Sequence, residues 1–399
     1  MKFFKLQFLF CLLVSAPLLE ARIFTNTKGQ EIDASISKVD GDKVTLLLEK
    51  SGKSYSVDIS SLSEADREYV TKWEKESGST ETGKKESSEA EPNFDDPWPK
   101  RVTIDLNIEI EEVEADKENK RFVYHSPNYE FICDVGLTKN VVKKFAVLFE
   151  ATRDYCRLLP IATMKAHVPG AQFRNKILLF ETKENYIKNG GPPSSAGVFI
   201  SRRGNGNGVV MVPLQSLGLK KLGSSYSYDY KGQNKVLPHE LTHQLTDREY
   251  YAPGARGWFS EGLSDYVAVT PYRSGKYFVR TNLSAIKEYA TGFGKDRRGG
   301  RGLGEEINAP DLKEYMLQPY SSFTGNNGNF NYGFALLVTY YYFHMEEDTS
   351  NINAFLKALK EGKRGEKALE VLLNGRSWDE MEAQITKAWR SRGVKITFN

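Results

Sequence analysis

The chain has 399 residues, 40% hydrophobic and 12% aromatic, which is ample for a large buried core and predicts two or three domains. A formal net charge of +3 gives no global field toward nucleic acid, and nucleic acid is not an expected partner. Only three cysteines are present, none at a metal-type spacing, which excludes a disulfide-dense scaffold and a cysteine-ligated metal.

Residues 1–21 read as a signal peptide. Lys2 and Lys5 form a basic start, Leu6 to Val14 an apolar stretch, and Ala21 a small residue before the cut. The alternative, an uncleaved membrane anchor, fits less well. Phe3 to Leu19 is short for a span and is interrupted by Lys5, Gln7 and Pro17. No other segment is apolar enough to cross a membrane, so an exported (periplasmic or secreted) chain without a transmembrane segment is expected. Cys133 and Cys156 remain after cleavage; Cys156 shares an apolar helix face with Phe145, Phe149 and Thr152. A buried thiol and a single bridge are both open readings.

Residues 22–74 read as a small β unit. Ile32, Ala34 and Ile36 alternate with polar residues, as do Val44, Leu46 and Leu48, and Tyr55, Val57 and Ile59. Asp40-Gly41-Asp42 and Ser51-Gly52-Lys53 are turns, and Ser63 caps a short helix that runs to Trp73. Either a generic β-meander or a closed barrel fits this pattern. Residues 75–96, rich in Ser, Glu, Lys and Gly, read as a disordered linker.

Residues 97–399 read as one α+β domain, with strands first and helices later. Strands are expected over Val102–Val113, Arg121–Asp134 and Lys176–Glu181, with a hairpin from Gly197–Ser201 and Gly208–Val212. A long amphipathic helix spans Thr138 to Leu159, ended by Pro160. Residues 333–346 and 352–390 read as helical. Arg297-Arg298-Gly299-Gly300-Arg301 reads as a solvated loop, and Asn282-Leu283-Ser284 as a sequon of consequence only in a glycosylating host.

The chemistry concentrates in His239-Glu240-Leu241-Thr242-His243 and, 18 residues past His243, in Glu261. Residues four apart share one helix face, so His239 and His243 can offer imidazole nitrogens to one ion. Pro238 lacks an N–H and belongs in a first helical turn, which predicts a helix start near Asn234–Val236. A catalytic zinc takes three protein ligands and keeps one position for water. Glu261 is the natural third ligand, Glu240 is placed to reach the water rather than the metal, and Asp265 can orient a ligand imidazole from outside.

The spacing from His239 to Asp265, together with Gly257-Trp258-Phe259-Ser260-Glu261-Gly262-Leu263, resembles the gluzincin zinc metallopeptidases. The wider domain, including Leu179-Phe180-Glu181-Thr182 and Val236 to Leu245, resembles peptidase-MA-like exported bacterial proteins. The resemblance implies a gluzincin-like domain with a mixed sheet. It also implies one Zn2+ on His239, His243 and Glu261, Glu240 as general base, and Asp265 holding a ligand histidine. A peptide or protein substrate follows from it. Where aminopeptidases of this type carry a carboxylate for the substrate amine, this chain has Gly208-Val209-Val210-Met211-Val212-Pro213, so an aminopeptidase is not expected. Val209–Val212 fits either an edge strand that pairs with a peptide or a core strand.

Phe330 to Leu337 resembles the helix that carries the oxyanion-stabilising Tyr. Tyr332 is the candidate there, the alternative being a ring that packs like Tyr340, Tyr341 and Tyr342; His344 reads as structural. The N-terminal unit, opening Arg22-Ile23-Phe24-Thr25 and closing Leu62-Ser63-Glu64-Ala65-Asp66, resembles the first homology domain of an endocytic adaptor. That family implies an SH3-like barrel, here with a protein or envelope ligand. The alternatives to a peptidase are a non-catalytic peptide- or envelope-binding protein on the same scaffold, and a zinc amidase acting on a non-peptide substrate.

Overall fold

The computed structural model describes residues 22–48, 54–78, 94–164, 173–201, 208–223, 225–229, 235–292, 299–347 and 349–399. The expected signal peptide and the Ser51-Gly52-Lys53 turn lie outside them. The chain divides into two compact units, Met1–Ser88 and Glu89–Asn399.

In the first unit β1 (Arg22–Thr25), β2 (Glu31–Asp40), β3 (Lys43–Leu48) and β4 (Ser54–Asp58) form an antiparallel meander in chain order. Alternation turns Ala34, Ile36, Val44 and Leu46 inward onto Phe24, Leu62 and Val70. Tyr55 shares that register but stands at the start of β4 and is half exposed, at 48%. Gly41 makes the β2–β3 turn at a φ of +58°. α1 (Glu64–Gly78) is capped by Ser63, whose Oγ accepts from the Asp66 amide at 3.3 Å. Asp66 also accepts from the Thr25 amide at 2.8 Å and pairs with Arg22 at 2.9 Å, fastening the helix to β1.

The stretch 75–96 differs from its expectation at both ends. α1 continues to Gly78, because Glu and Lys are good helix formers even where the sequence holds no apolar residue. Phe94 is buried in the core of the second unit and Asp95 pairs with Lys357 at 2.9 Å. Residues 79–93 lie outside the described residues.

The second unit is mixed α and β. Beyond β5 (Val102–Thr103), six strands make one sheet: β6 (Glu111–Asp116), β7 (Arg121–His125), β8 (Tyr129–Cys133), β9 (Asn175–Phe180), β10 (Val198–Ile200) and β11 (Val209–Pro213). Their order is β10-β11-β9-β8-β7-β6; β8, β9 and β11 run parallel and the rest antiparallel. Two strand expectations are corrected and one open choice is decided. The expected strand 102–113 is broken because the Asp105 carboxylate accepts from the Asn107 amide at 2.8 Å, turning the backbone. The expected strand 121–134 is a hairpin, turned at Ser126-Pro127-Asn128. Of the two readings of Val209–Val212, the core strand holds: β11 is wholly buried between β10 and β9, and the edge is β10.

α2 (Lys139–Leu158), capped by Thr138, covers the sheet through Phe145 and Phe149 on Phe131. Its buried Glu150 is satisfied by the β7–β8 turn, accepting from Ser126 Oγ at 2.6 Å and from the Asn128 amide at 3.0 Å. Cys133 and Cys156 are free and buried, and burial pushes the Cys156 thiol up to about 12, so neither is poised to react. α3 (Lys183–Lys188) and the hairpin of β12 (Leu219–Leu222) and β13 (Ser225–Tyr228) decorate the sheet.

The helical half carries α4 (Val236–Leu245), α5 (Trp258–Val269), α6 (Leu283–Thr291), α7 (Leu312–Leu317), α8 (Tyr320–Phe323) and α9 (Gly328–His344), with α10 (Ser350–Lys360), α11 (Glu366–Leu373) and α12 (Trp378–Arg390) beyond them. The small strands β14 (Tyr272–Arg273) and β15 (Lys276–Tyr277) join β5. β16 (Glu306–Ala309) pairs in parallel with the C-terminal β17 (Lys395–Phe398). α9 is buried on nearly every side and is the central helix. Against it α5 lies very close: a Cβ on Gly262 would stand 2.2 Å from Thr339 Oγ1 and 2.6 Å from the Ala335 carbonyl. Asn282 is 1% exposed and donates to Thr270 Oγ1, which removes the sequon from any modifying enzyme in the folded chain. Among the described residues no helix is long and apolar enough to cross a membrane.

Candidate metal centre

α4 begins at Val236, so Pro238 is its third residue, where the missing amide has no intrahelical acceptor to lose. His239 and His243 follow one turn apart. At the back of α4, Gln244 Nε2 donates to the carbonyls of Lys176 and Gly208 and fixes the helix to the sheet. α5 starts after Gly257, whose φ of +96° only glycine adopts without strain. Trp258 Nε1 donates to the Gly254 carbonyl at 2.7 Å and anchors the turn that brings Glu261 over α4.

Three acceptor atoms converge there. His239 Nε2, His243 Nε2 and Glu261 Oε2 stand 3.1 Å from one another, all largely buried. The outer ring nitrogens decide what these inner atoms can be. His239 Nδ1 lies 2.8 Å from Asp265 Oδ1, and an ionised carboxylate only accepts, so Nδ1 carries the proton. His243 Nδ1 faces Tyr251 Oη at 2.7 Å and Ser264 Oγ at 3.1 Å. Both hydroxyls donate to carbonyls, Tyr251 to His243 and Ser264 to Ser260, and so accept from Nδ1–H. Each Nε2 is then a lone pair aimed at another lone pair and at a carboxylate. Such a triangle needs a cation or a proton at its centre. The three atoms are close enough together to be the ligands of one small ion, which His239, His243 and Glu261 would hold. This His-His-Glu group can hold a metal ion.

The electrostatics agree with that demand. Burial disfavours a charged His239 imidazole, but the hydrogen bonds to Asp265 and Glu261 outweigh it and raise its pKa well above the ordinary value. Burial likewise works against the Glu261 carboxylate, and the two imidazoles pull it far below the usual range. Asp265 is buried too; Arg301, at 2.9 Å, and His239 keep it ionised. Metal must displace the proton that His239 holds. Metal affinity is therefore expected to rise with pH through the raised His239 pKa and then flatten. Below that range it weakens about tenfold per pH unit for each proton displaced. A competition titration at stepped pH reads this, and affinity indifferent to pH would refute it.

Glu240 stands outside the triangle. Its Oε2 accepts from the Phe199 amide on β10 at 2.7 Å, and burial pushes its carboxyl above the usual carboxylate range. Asp265→Asn, which keeps the shape but gives up the charge, is expected to weaken metal binding roughly 10–100-fold without abolishing it. Unchanged affinity in a competition assay would remove Asp265 from the site.

The structure brings His239, His243, Glu261 and Asp265 together. Tyr332 lies beside them, its ring 6.1 Å from that of His239. The sequence pattern missed four contributors: Tyr251, Phe199, Arg301 and Tyr320, whose hydroxyl donates to Glu261 Oε1 at 2.8 Å. Arg301 corrects an expectation. It is no solvated loop residue, because it pairs with Asp265 and lies 4.8 Å over the Tyr332 ring. Arg301 was one of three arginines in a glycine-rich loop, with nothing local to tie it to Asp265, and nothing local marked Tyr320. No family model matches this chain, and no curated protein matches it.

Proposed function

We propose that the chain is an exported zinc-dependent metallopeptidase of gluzincin type, hydrolysing internal peptide bonds. The observation that carries this reading is the convergence of His239 Nε2, His243 Nε2 and Glu261 Oε2 with their outer atoms already engaged. An N,N,O set suits zinc better than calcium or magnesium, which take oxygen ligands. Bound zinc would supply a Lewis acid that polarises a carbonyl and lowers the pKa of a water.

The protein's own contribution is placement and proton transfer. Glu240 follows His239 on α4, and its raised pKa suits a base that takes a proton from water and returns it to a leaving amine. The amide of Phe199 fixes one of its oxygens and leaves the other for that task. Tyr332 is the candidate to face a developing oxyanion, with Arg301 stacked on its ring. Neither the edge strand β10 nor β11 carries a carboxylate for a substrate amine, which supports an endopeptidase over an aminopeptidase.

For the first unit we propose an SH3-like barrel with a protein or envelope ligand. The bridge between Asn26 and Leu62 supports this, since it returns the chain after β4 to β1. Export rests on the basic and apolar pattern before Arg22. The test of the enzymatic reading is cleavage of a diverse peptide library that is lost with a chelator, restored by zinc and dependent on Glu240.

A further inference from the structure

The two oxygens of Glu261 have different neighbours, and the difference bears on how many positions a bound metal keeps free. Oε2 lies in the triangle with the histidines, whereas Oε1 accepts the Tyr320 hydroxyl at 2.8 Å. A carboxylate can take a metal through one oxygen or through both. Taking it through both needs Oε1 to turn toward the ion, and that costs the buried Glu261 its hydrogen bond from Tyr320.

Tyr320 is itself held. It opens α8 directly after Pro319, its ring stacks on the buried Phe323 at 6.2 Å and 6°, and the Arg256 guanidinium lies 4.2 Å over the ring. These contacts hold the ring, and with it the hydroxyl, in place beside Oε1. A phenol keeps its proton through the physiological range, and the only role an ionised Glu261 oxygen leaves it is donor.

We propose that Tyr320 is a positioning residue that holds Glu261 to single-oxygen ligation, so that a metal on His239, His243 and Glu261 keeps a position for water and substrate. This rests on the metal reading above. The consequence is specific: without the Tyr320 hydroxyl, Glu261 closes onto the metal through both oxygens, the coordination number rises by one, and the position for water is crowded.

The experiment replaces zinc by Co2+ in wild type and in Tyr320→Phe, which loses one oxygen and keeps the ring. Wild type is expected to bind one Co2+ with the intense visible absorption of a four-coordinate ion. Tyr320→Phe is expected to bind one Co2+ and lose most of that intensity, as five-coordinate cobalt does. Loss of general packing alone would change Co2+ uptake but not the absorption per bound ion. An unchanged spectrum in Tyr320→Phe overturns the proposal and leaves the metal site standing; wild type that takes up no stoichiometric Co2+ overturns both. X-ray absorption on wild-type zinc protein reads the same point without any variant. One carboxylate oxygen at about 2.0–2.2 Å supports the proposal, and two within the first shell overturn it.

Discussion

Glu240→Gln is expected to retain metal at wild-type stoichiometry and to cleave peptides about 10³-fold more slowly. The two halves of this result have separate causes. Metal is retained because Glu240 takes no part in the His239–His243–Glu261 triangle, and glutamine fills the same volume. Its amide oxygen can still accept from the Phe199 amide, so β10 stays in register with α4. Cleavage is lost because an amide takes no proton from water at neutral pH. The expected loss belongs to turnover rather than to substrate affinity, since the group acts on a proton in flight. The wild-type rate should also fall on the acid side as Glu240 protonates. That limb should lie above the ordinary carboxylate range, because burial raises its pKa. Metal content by mass spectrometry and progress curves on a peptide library measure both halves. Cleavage that survives Glu240→Gln undamaged would remove the proposed base. Metal without any Glu240-dependent peptide cleavage would turn the reading toward a binding protein or an amidase, which non-peptide amide substrates then separate.

How much of this site could be read in the sequence follows from where its contacts come from. His239 and His243 are one turn apart, and so are Glu261 and Asp265, which puts each pair on one helix face before any tertiary contact is known. Pro238 marked the start of α4 by the same local physics. Tyr320, Tyr251 and Arg301 reach the site from separate segments, Tyr320 59 residues beyond Glu261, so no periodicity relates them to their partners. The sheet was legible as runs of strand and illegible as an order. Val209–Pro213 is apolar whether it sits inside the sheet or at its rim, and only its pairing with both β9 and β10 decides. The broken strand near Asp105 and the hairpin at Pro127 turn on single side-chain and proline effects inside stretches whose hydrophobic alternation looked continuous.

Gly262→Ala is expected to cost the second unit about 3 kcal/mol or more, the upper end of what overpacking does, and to lower metal occupancy with it. The argument is steric. A methyl group there meets Thr339 Oγ1 at 2.2 Å and the Ala335 carbonyl oxygen at 2.6 Å, both inside the closest approach that real side chains show. Thr339 is buried, and its hydroxyl donates to the Trp258 carbonyl at 3.3 Å, so it has no empty space to turn into. Ala335 is backbone in the middle of the buried α9 and cannot yield alone. The helices must separate, and α5 carries Glu261 and Asp265, so separation loosens the third ligand and the partner of His239 together. Two measurements divide the effect. Denaturant unfolding reads the stability loss, and Gly262→Ala with Thr339→Ala should recover only part of it, because the carbonyl clash remains. Full recovery would mean that the Thr339 hydroxyl alone sets the helix distance. Wild-type stability and full metal occupancy in the single variant would mean that the close approach of α5 to α9 does not hold the site together.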